Sequence, residues 1–295
     1  MRKLSKIVLG VFLILTFSLV CLSFNVLADT ASGTVSVQNT VPTMGTATLF
    51  NQADADAAIT LSAGGTVVVT ASATVTDVNG GASVSNASAT LYHSTSTSGG
   101  ADDENIHITN SSCVLGTPSE NDVVATCKFT MNFMALDGTW TANITAVDSE
   151  SAKISGTDDN TANTLVGLNV VEATIDFSSL ELGANSSSAT AMTVRSQGNV
   201  VIDAQYSGTN YTCDVGTINA ANTRYGLTDV SYDELTTDLT EEDATQTGFN
   251  LGIRGVATAN GANSDESEYW GIKVPTSGVS GTCTNTLTVT AIADA

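Results

Sequence analysis

The residues that could do chemistry in this 295-residue chain are few: five cysteines, two histidines and a handful of acidic runs. Cys21 sits in an apolar N-terminal stretch and is set aside, because Val20 precedes it where a lipoprotein site needs a small residue. Cys113, Cys127, Cys213 and Cys283 show no C-x-x-C spacing and no paired histidine, so neither redox cycling nor zinc binding is expected. An even number of cysteines in an exported chain points instead to disulfides. Three pairings are open. Cys113–Cys127 with Cys213–Cys283 is expected, because each bridge then stays within one domain, which is the simpler geometry. Loop-closure entropy assigns about 3 kcal/mol to the short bridge and about 4 kcal/mol to the long one.

His93 and His107 each fall in a β-like or loop context, outside any metal or triad motif. The chain carries no H-E-x-x-H, no G-x-S-x-G, no phosphate-binding loop and no dinucleotide fingerprint. Carboxylates cluster at Asp54/Asp56, at Asp102-Asp103-Glu104 and at Glu241-Glu242-Asp243. Glycoside hydrolysis needs two facing carboxylates. It also needs sugar-stacking rings nearby, and aromatic residues make up only 5% of the chain. These acidic runs are read as loop coats. Asp77-x-Asn79-Gly80 resembles the start of a calcium loop, but its glycine comes too early and no glutamate closes it, so a capped turn is expected. No catalytic residue, no metal ligand and no cofactor is therefore assigned. N-x-[Ser/Thr] sequons stand at Asn86, Asn110, Asn143, Asn185 and Asn210. Asn86 and Asn143 fall on the polar faces of their strands, where a glycan could be attached.

The composition bounds the partners. Net charge is −21, from 9 Lys+Arg against 30 Asp+Glu. Such a surface repels nucleic acid and suits solubility outside the cell. High-salt adaptation would give a similar imbalance, but only 13% of residues are charged and the excess arises from scarce Lys and Arg.

Residues 1–28 carry the three parts of a secretory signal peptide. Arg2, Lys3 and Lys6 are basic, residues 7–24 are uncharged and mostly apolar, and Val26-Leu27-Ala28 precedes a cut between Ala28 and Asp29. The apolar run is long enough that an uncleaved membrane anchor is the alternative. Both readings place the bulk of the chain outside, and the membrane is met only through this segment.

The elements that position these residues are strands. From Val123 to Phe133 every second residue is apolar, with Ala125, Cys127, Phe129 and Met131 between. Asp137-Gly138 follows, and then Trp140, Ala142, Ile144 and Ala146 alternate with threonine and asparagine. Period two marks strands with one face in a core, and the short link between the runs reads as a β-hairpin. Val35, Val37 and Val41 suggest an entry strand. Residues 66–77 and 84–92 alternate as well, around an Asp77–Gly81 turn. Residues 29–149 are read as one β-sandwich, the polar and aperiodic residues 150–164 as a linker, and residues 165–295 as a second β-sandwich. In the second, Val171, Ala173, Ile175 and Phe177 share a face. Residues 191–195 and 200–206 suggest a hairpin, and Phe249, Leu251 and Ile253 a strand. Residues 222–247 read as a long loop or short helix, and residues 282–292 alternate to the end. The fold class is all-β.

The segments N-T-V-P-T (39–43), T-V-T-D-V-N-G (74–80) and D-G-T-W-T-A-N-I-T-A-V-D (137–148) resemble immunoglobulin-like modules of the polycystic-kidney-disease-repeat and bacterial Ig-like kind. The resemblance implies a sandwich in an extracellular setting, acting as a spacer or adhesive unit. The Gly198-Asn199-Val200 turn and the end Y-W-G-I-K-V-P…G-V-S-G-T-C-T-N-T-L-T-V-T-A-I are similar to prokaryotic cell-envelope β-sandwiches, the WxL surface domains and the camelysin and biofilm-fibre group. The WxL tripeptide is absent, with Tyr269-Trp270-Gly271 in that stretch, so peptidoglycan binding is not implied.

The expectation is a non-catalytic secreted or cell-surface structural protein, part of a surface layer, filament or matrix. Its partners would be further copies of itself or other envelope proteins, and residues 282–292 could pair edge to edge between subunits. The alternative is an extracellular adhesin or carbohydrate-binding module. That needs an exposed aromatic platform, and Trp140 and Trp270 are both in phase with a core.

Overall fold

The computed structural model describes residues 32–51, 57–246, 248–255 and 264–294. The proposed signal segment, its cut at Ala28/Asp29 and the Asp54/Asp56 pair lie outside the described residues. Residues Met1–Gln38 and Asn39–Ala295 form separate compact units. Among the described residues of the first, residues 32–38 are not in a strand, and Val35 and Val37 are 86% and 79% exposed. The expected entry strand around these valines is thus absent.

The larger unit is all-β, with its first core between two sheets. In chain order the strands are β1 Thr43–Met44, β2 Thr48–Asn51, β3 Thr66–Thr76, β4 Val84–His93, β5 His107–Asn110, β6 Val114–Leu115, β7 Asp122–Asn132, β8 Gly138–Asp148 and β9 Lys153–Ala162. One sheet runs β1-β3-β7-β6, with β2 also on β3, and the other runs β5-β4-β8-β9. The alternation of β3 and β7 explains their pairing. Their ladder sets Val69 opposite Phe129, Ala71 opposite Cys127 and Ala73 opposite Ala125, all buried. These pairs form one apolar row along the ladder, with large residues at the Val69 end and small ones at the Ala73 end. Trp140 on β8 is the largest side chain in this core and fully buried. Complete burial of a large apolar side chain contributes roughly 2–3 kcal/mol.

Two readings of this half need correction. The runs at residues 123–133 and 138–148 are not a hairpin. β7 pairs with β3 and β6, whereas β8 pairs with β4 and β9. Residues 133–137 carry the chain from one sheet to the other, so the two apolar rows face each other across the core. Residues 150–164 are not a free linker either, because Lys153–Ala162 forms β9 and pairs with β8 along its length. Its inward positions are Ile154, Gly156, Asp158, Asn160 and Ala162. Small and polar side chains at those places hide the period from a hydrophobic pattern. Asp158 accepts a bond from the Leu49 backbone N–H at 2.6 Å, and the Asn160 amide donates to the Leu49 carbonyl at 3.1 Å. These two side chains close the sandwich between β2 and β9.

The second half follows with β10 Leu168–Val170, β11 Thr190–Ser196, β12 Ile202–Gly208, β13 Tyr211–Val215, β14 Thr217–Ile218, β15 Thr223–Gly226, β16 Thr237–Asp238, β17 Ala244–Thr245, β18 Asp265–Ile272, β19 Ser280–Thr284 and β20 Leu287–Ala293. A five-stranded sheet runs β10-β11-β18-β15-β16, and three-stranded sheets run β17-β12-β20 and β14-β13-β19. Its main core holds Met192, Val194, Ile202, Ala204, Tyr206, Tyr225 and Trp270. The expected hairpin of residues 191–206 is again a crossing, since β11 and β12 belong to different sheets. Ile175 and Phe177 pack on this core without forming a strand. Leu251 makes one isolated bridge to Ile202. The described residues of 222–246 hold the short strands β15 to β17 and no α-helix.

Candidate functional site

Each disulfide stays inside one half of the molecule. Cys113 and Cys127 are bonded with Cα atoms 4.5 Å apart. The Cys113 N–H donates to the Ala87 carbonyl on β4, while Cys127 lies on β7. Val114 pairs with Thr126 in the β6–β7 ladder, so the bridge fastens the residue just before β6 to β7 within one sheet, while the Cys113 N–H reaches β4 of the other. Cys213 and Cys283 are bonded with Cα atoms 3.9 Å apart, and they are direct partners in the β13–β19 ladder.

The histidines serve structure at the end of β4 and the start of β5. His93 Nδ1 pairs with the Thr95 hydroxyl at 2.9 Å, and Nε2 with the Asp137 carbonyl at 3.0 Å. Its ring meets Trp140 edge-on, and the Trp140 indole N–H donates to the Leu136 carbonyl at 2.8 Å. Together they hold the crossing at residues 133–137. His107 is 1% exposed, with Nδ1 3.1 Å from Asp102. A hydrogen bond from Thr109, and then the one from His107, hold the Asp102 carboxyl below its usual range.

The two halves meet around buried amides that the sequence pattern did not single out. Asn199 is fully buried; its amide donates to the carbonyls of Ala135 and Asn163, and its oxygen accepts from the Leu165 N–H. Asn105 donates to the carbonyls of Met134 and Arg254. Phe133, Met134 and Ile253 form a small apolar cluster between them. Beside this junction lies an open cleft of about 550 Å³, lined by Asp103, Glu104, Asn132, Arg254 and their neighbours. Two carboxylates, an amide and a guanidinium can hydrogen-bond a polar ligand, but they include no nucleophile with an adjacent base.

The second core carries an unexpected acid. Glu268 lies on the inward face of β18 in phase with Trp270 and is fully buried. Tyr206 donates to its Oε2 at 3.4 Å, while Oε1 has no partner among the described residues. Burial first, and then the neighbouring Glu266, push its carboxyl up to about 8, against the bond from Tyr206. Tyr225 stacks on Trp270 at 4.9 Å, and Tyr206 meets both rings edge-on. Desolvation raises the Tyr225 phenol to about 12. A proton held in a closed core touches no substrate. The alternation of Glu268, Trp270 and Ile272 was the signal for it, because the inward phase of that strand includes the glutamate.

The remaining assignments fall on turns and edges. Asp77 is buried; Oδ1 accepts from the Asn79 N–H and Oδ2 from the Ser83 hydroxyl, so its carboxylate caps the turn. Asp102, Asp103 and Glu104 are exposed, as are Glu241, Glu242 and Asp243. Among the described residues no group of three or more His, Cys, Asp or Glu side chains is placed to hold a metal ion. Of the sequon asparagines, Asn86 is exposed, and Asn110, Asn143, Asn185 and Asn210 are half-buried. Trp140 and Trp270 are buried, as are Tyr206, Tyr211, Tyr225 and Tyr232. Tyr92 and Tyr269 are half-buried, so the described residues carry no tryptophan platform for a sugar.

The C-terminal stretch is an edge. β20 pairs with β12 through seven consecutive partners, Ile202↔Ala293 to Gly208↔Leu287, and β19 pairs with β13. Both stand last in their sheets.

No protein-family description matches the chain, and no curated protein matches it. Two solved structures are similar in part. One is titled BspA_C_WT, with 10% identity and a TM-score of 0.24, covering 85% of this chain and 96% of that one. The other is the wild-type C-terminal domain of the Streptococcus agalactiae AgI/II polypeptide BspA, with 9% identity and a TM-score of 0.20. It covers 86% of this chain and 96% of its own.

Proposed function

We propose that this is a non-catalytic structural protein of the cell envelope, exported and displayed outside the cell as two stapled β-sandwiches. The observation that carries the reading is the pairing of Cys113 with Cys127 and of Cys213 with Cys283, which leaves no unpaired cysteine after Cys21. Such bridges persist in oxidising compartments and rarely in a reducing cytosol. The leader-like residues 1–28 and the acidic, Lys-poor surface support the same location. The chemistry-bearing side chains are otherwise engaged in holding turns and crossings, as His93, Asp77 and Asn199 show. No particular observation favours the sugar-binding alternative, because the large rings lie in the cores.

Immunogold electron microscopy of native cells tests the reading. Label over the outer surface, in a layer or along fibres, is expected. A freely diffusing product with no surface label contradicts it.

A further inference from the structure

The long free edge at residues 280–293 differs from every other edge among the described strands. β1, β6, β14, β16 and β17 span two residues each, β10 three, and β2 and β5 four. Short edges offer little ladder for a neighbour to extend. β9 is long, with 10 residues, but it carries Lys153, Asp158 and Asp159 and is covered by the bonds from Asp158 and Asn160 to β2. An inward-pointing charge on an edge is a known guard against strand addition. β19 and β20 have 5 and 7 residues, and no charged residue occurs from Val274 to Ala293. No proline follows Pro275. The guards found elsewhere are missing here.

The inner row of β20 is also incompletely covered. Leu287, Val289 and Ala291 pack on the second core and remain half-buried. β12 covers one flank of this row, and among the described residues the other flank has no ladder partner.

The geometry points to a second copy of this chain as the occupant, with β20 of one copy pairing antiparallel with β20 of the other about a two-fold axis near Thr290. The choice of partner follows from charge. Two molecules of net charge −21 repel each other. The 20-residue uncharged stretch is where two such surfaces approach with least electrostatic work. The register follows from strand period. An axis through a residue keeps odd positions opposite odd positions, whereas a one-residue slip exchanges faces. With the axis at Thr290, Leu287 lies opposite Ala293 of the second copy and Val289 opposite its Ala291. The two inner rows then join into one apolar strip across six strands, β17-β12-β20 and their symmetry mates. Thr290 faces its own copy, with Cβ atoms about 5 Å apart. The Cys213–Cys283 bridge holds β19 to β13 at the base of this edge, so the strand is fixed before a partner arrives. This deepens the envelope reading by naming the first contact of the assembly.

Light scattering and cysteine cross-linking on the exported protein test it. The expected mass is that of two copies, with the dimer fraction rising as salt screens the repulsion. Thr290→Lys is expected to give single copies with an unchanged melting temperature. Thr290→Cys is expected to cross-link between copies under mild oxidant, and Thr157→Cys, on the exposed face of β9, is not. A single-copy mass at every concentration and salt overturns the pairing, as does equal cross-linking at the two cysteine positions. Should Thr290→Lys unfold, the cross-linking contrast still decides. Loss of the dimer leaves surface display standing, because immunogold labelling reads location alone.

Discussion

The side-chain amide of Asn199, in the turn between β11 and β12, donates to the carbonyl of Ala135, in the crossing between β7 and β8, at 3.1 Å. The chain passes between sheets at both places, from β7 to β8 and from β11 to β12, and this bond ties those two crossings together. Both groups are buried, so the bond has no competition from water. Asn199→Ala leaves the Ala135 carbonyl and the Leu165 N–H without their partner. Unsatisfied buried polar groups cost about 1–3 kcal/mol each. A loss of about 2–4 kcal/mol is expected in chemical denaturation. A midpoint equal to that of the native chain would show that the junction does not hold the halves together.

The two disulfides act on different structures. Replacing Cys113 and Cys127 with alanine frees the start of β6 from β7 and is expected to lower stability by about 3 kcal/mol. Replacing Cys213 and Cys283 should cost about 4 kcal/mol and loosen the C-terminal edge. Hydrogen exchange checks the second effect, with faster exchange expected along β13 and β19 and unchanged protection at β3 and β7.

Glu268 gives the protein a pH dependence of definite sign. Its carboxyl titrates near 4.5 in the unfolded chain and is pushed up to about 8 in the folded one. The folded state therefore binds the proton more tightly, and stability falls as pH rises between those values. The contribution is fully present below the unfolded value and is lost as pH passes through the folded value. Its size is on the order of 5 kcal/mol. Asp102, Asp148 and Asp265 have the opposite sign, their carboxyls being held below the usual range, so their stabilisation is lost in acid. Glu268→Gln keeps the shape without the titration. Urea midpoints of the native chain should fall from about pH 5 to about pH 8.5, and those of Glu268→Gln should stay nearly flat. Parallel profiles for the two proteins would contradict this account of the acid.

Asp158 closes the first sandwich where β9 would otherwise be open. Asp158→Ala frees the Leu49 N–H and uncovers the edge. The expected loss is about 1–3 kcal/mol, with new concentration-dependent association measured by light scattering. A strictly unchanged hydrodynamic radius would show that Asp158 does not guard that edge.

The period of two made the strands of both cores legible, along with the burial of Trp140 and Trp270. Connectivity was less visible. Two alternating runs joined by a short link satisfy a hairpin and a sheet-to-sheet crossing equally, because both place the apolar rows toward one core. At residues 133–137 and 197–201 the crossing prevails, and the bonds from His93 to Asp137 and from Asn199 to Ala135 that hold it join residues far apart in the sequence. β9 escaped notice because glycine, aspartate and asparagine occupy its inward positions. The exposed Val35 and Val37 misled in the other direction, since alternation without a partner strand makes no ladder. Glu268 was discoverable from its phase. Asn105 and Asn199 were not, because a loop asparagine that bonds distant carbonyls leaves no local pattern.

Proteinase K treatment of intact, oxidised cells, followed by peptide mass spectrometry, tests the central claim most directly. The loop at residues 94–104 is expected to be cut before lysis, and peptides linked through Cys113–Cys127 and Cys213–Cys283 are expected in the released material. Full protection until the cells are broken, with all four thiols free to alkylation, would contradict a disulfide-stapled protein of the cell exterior.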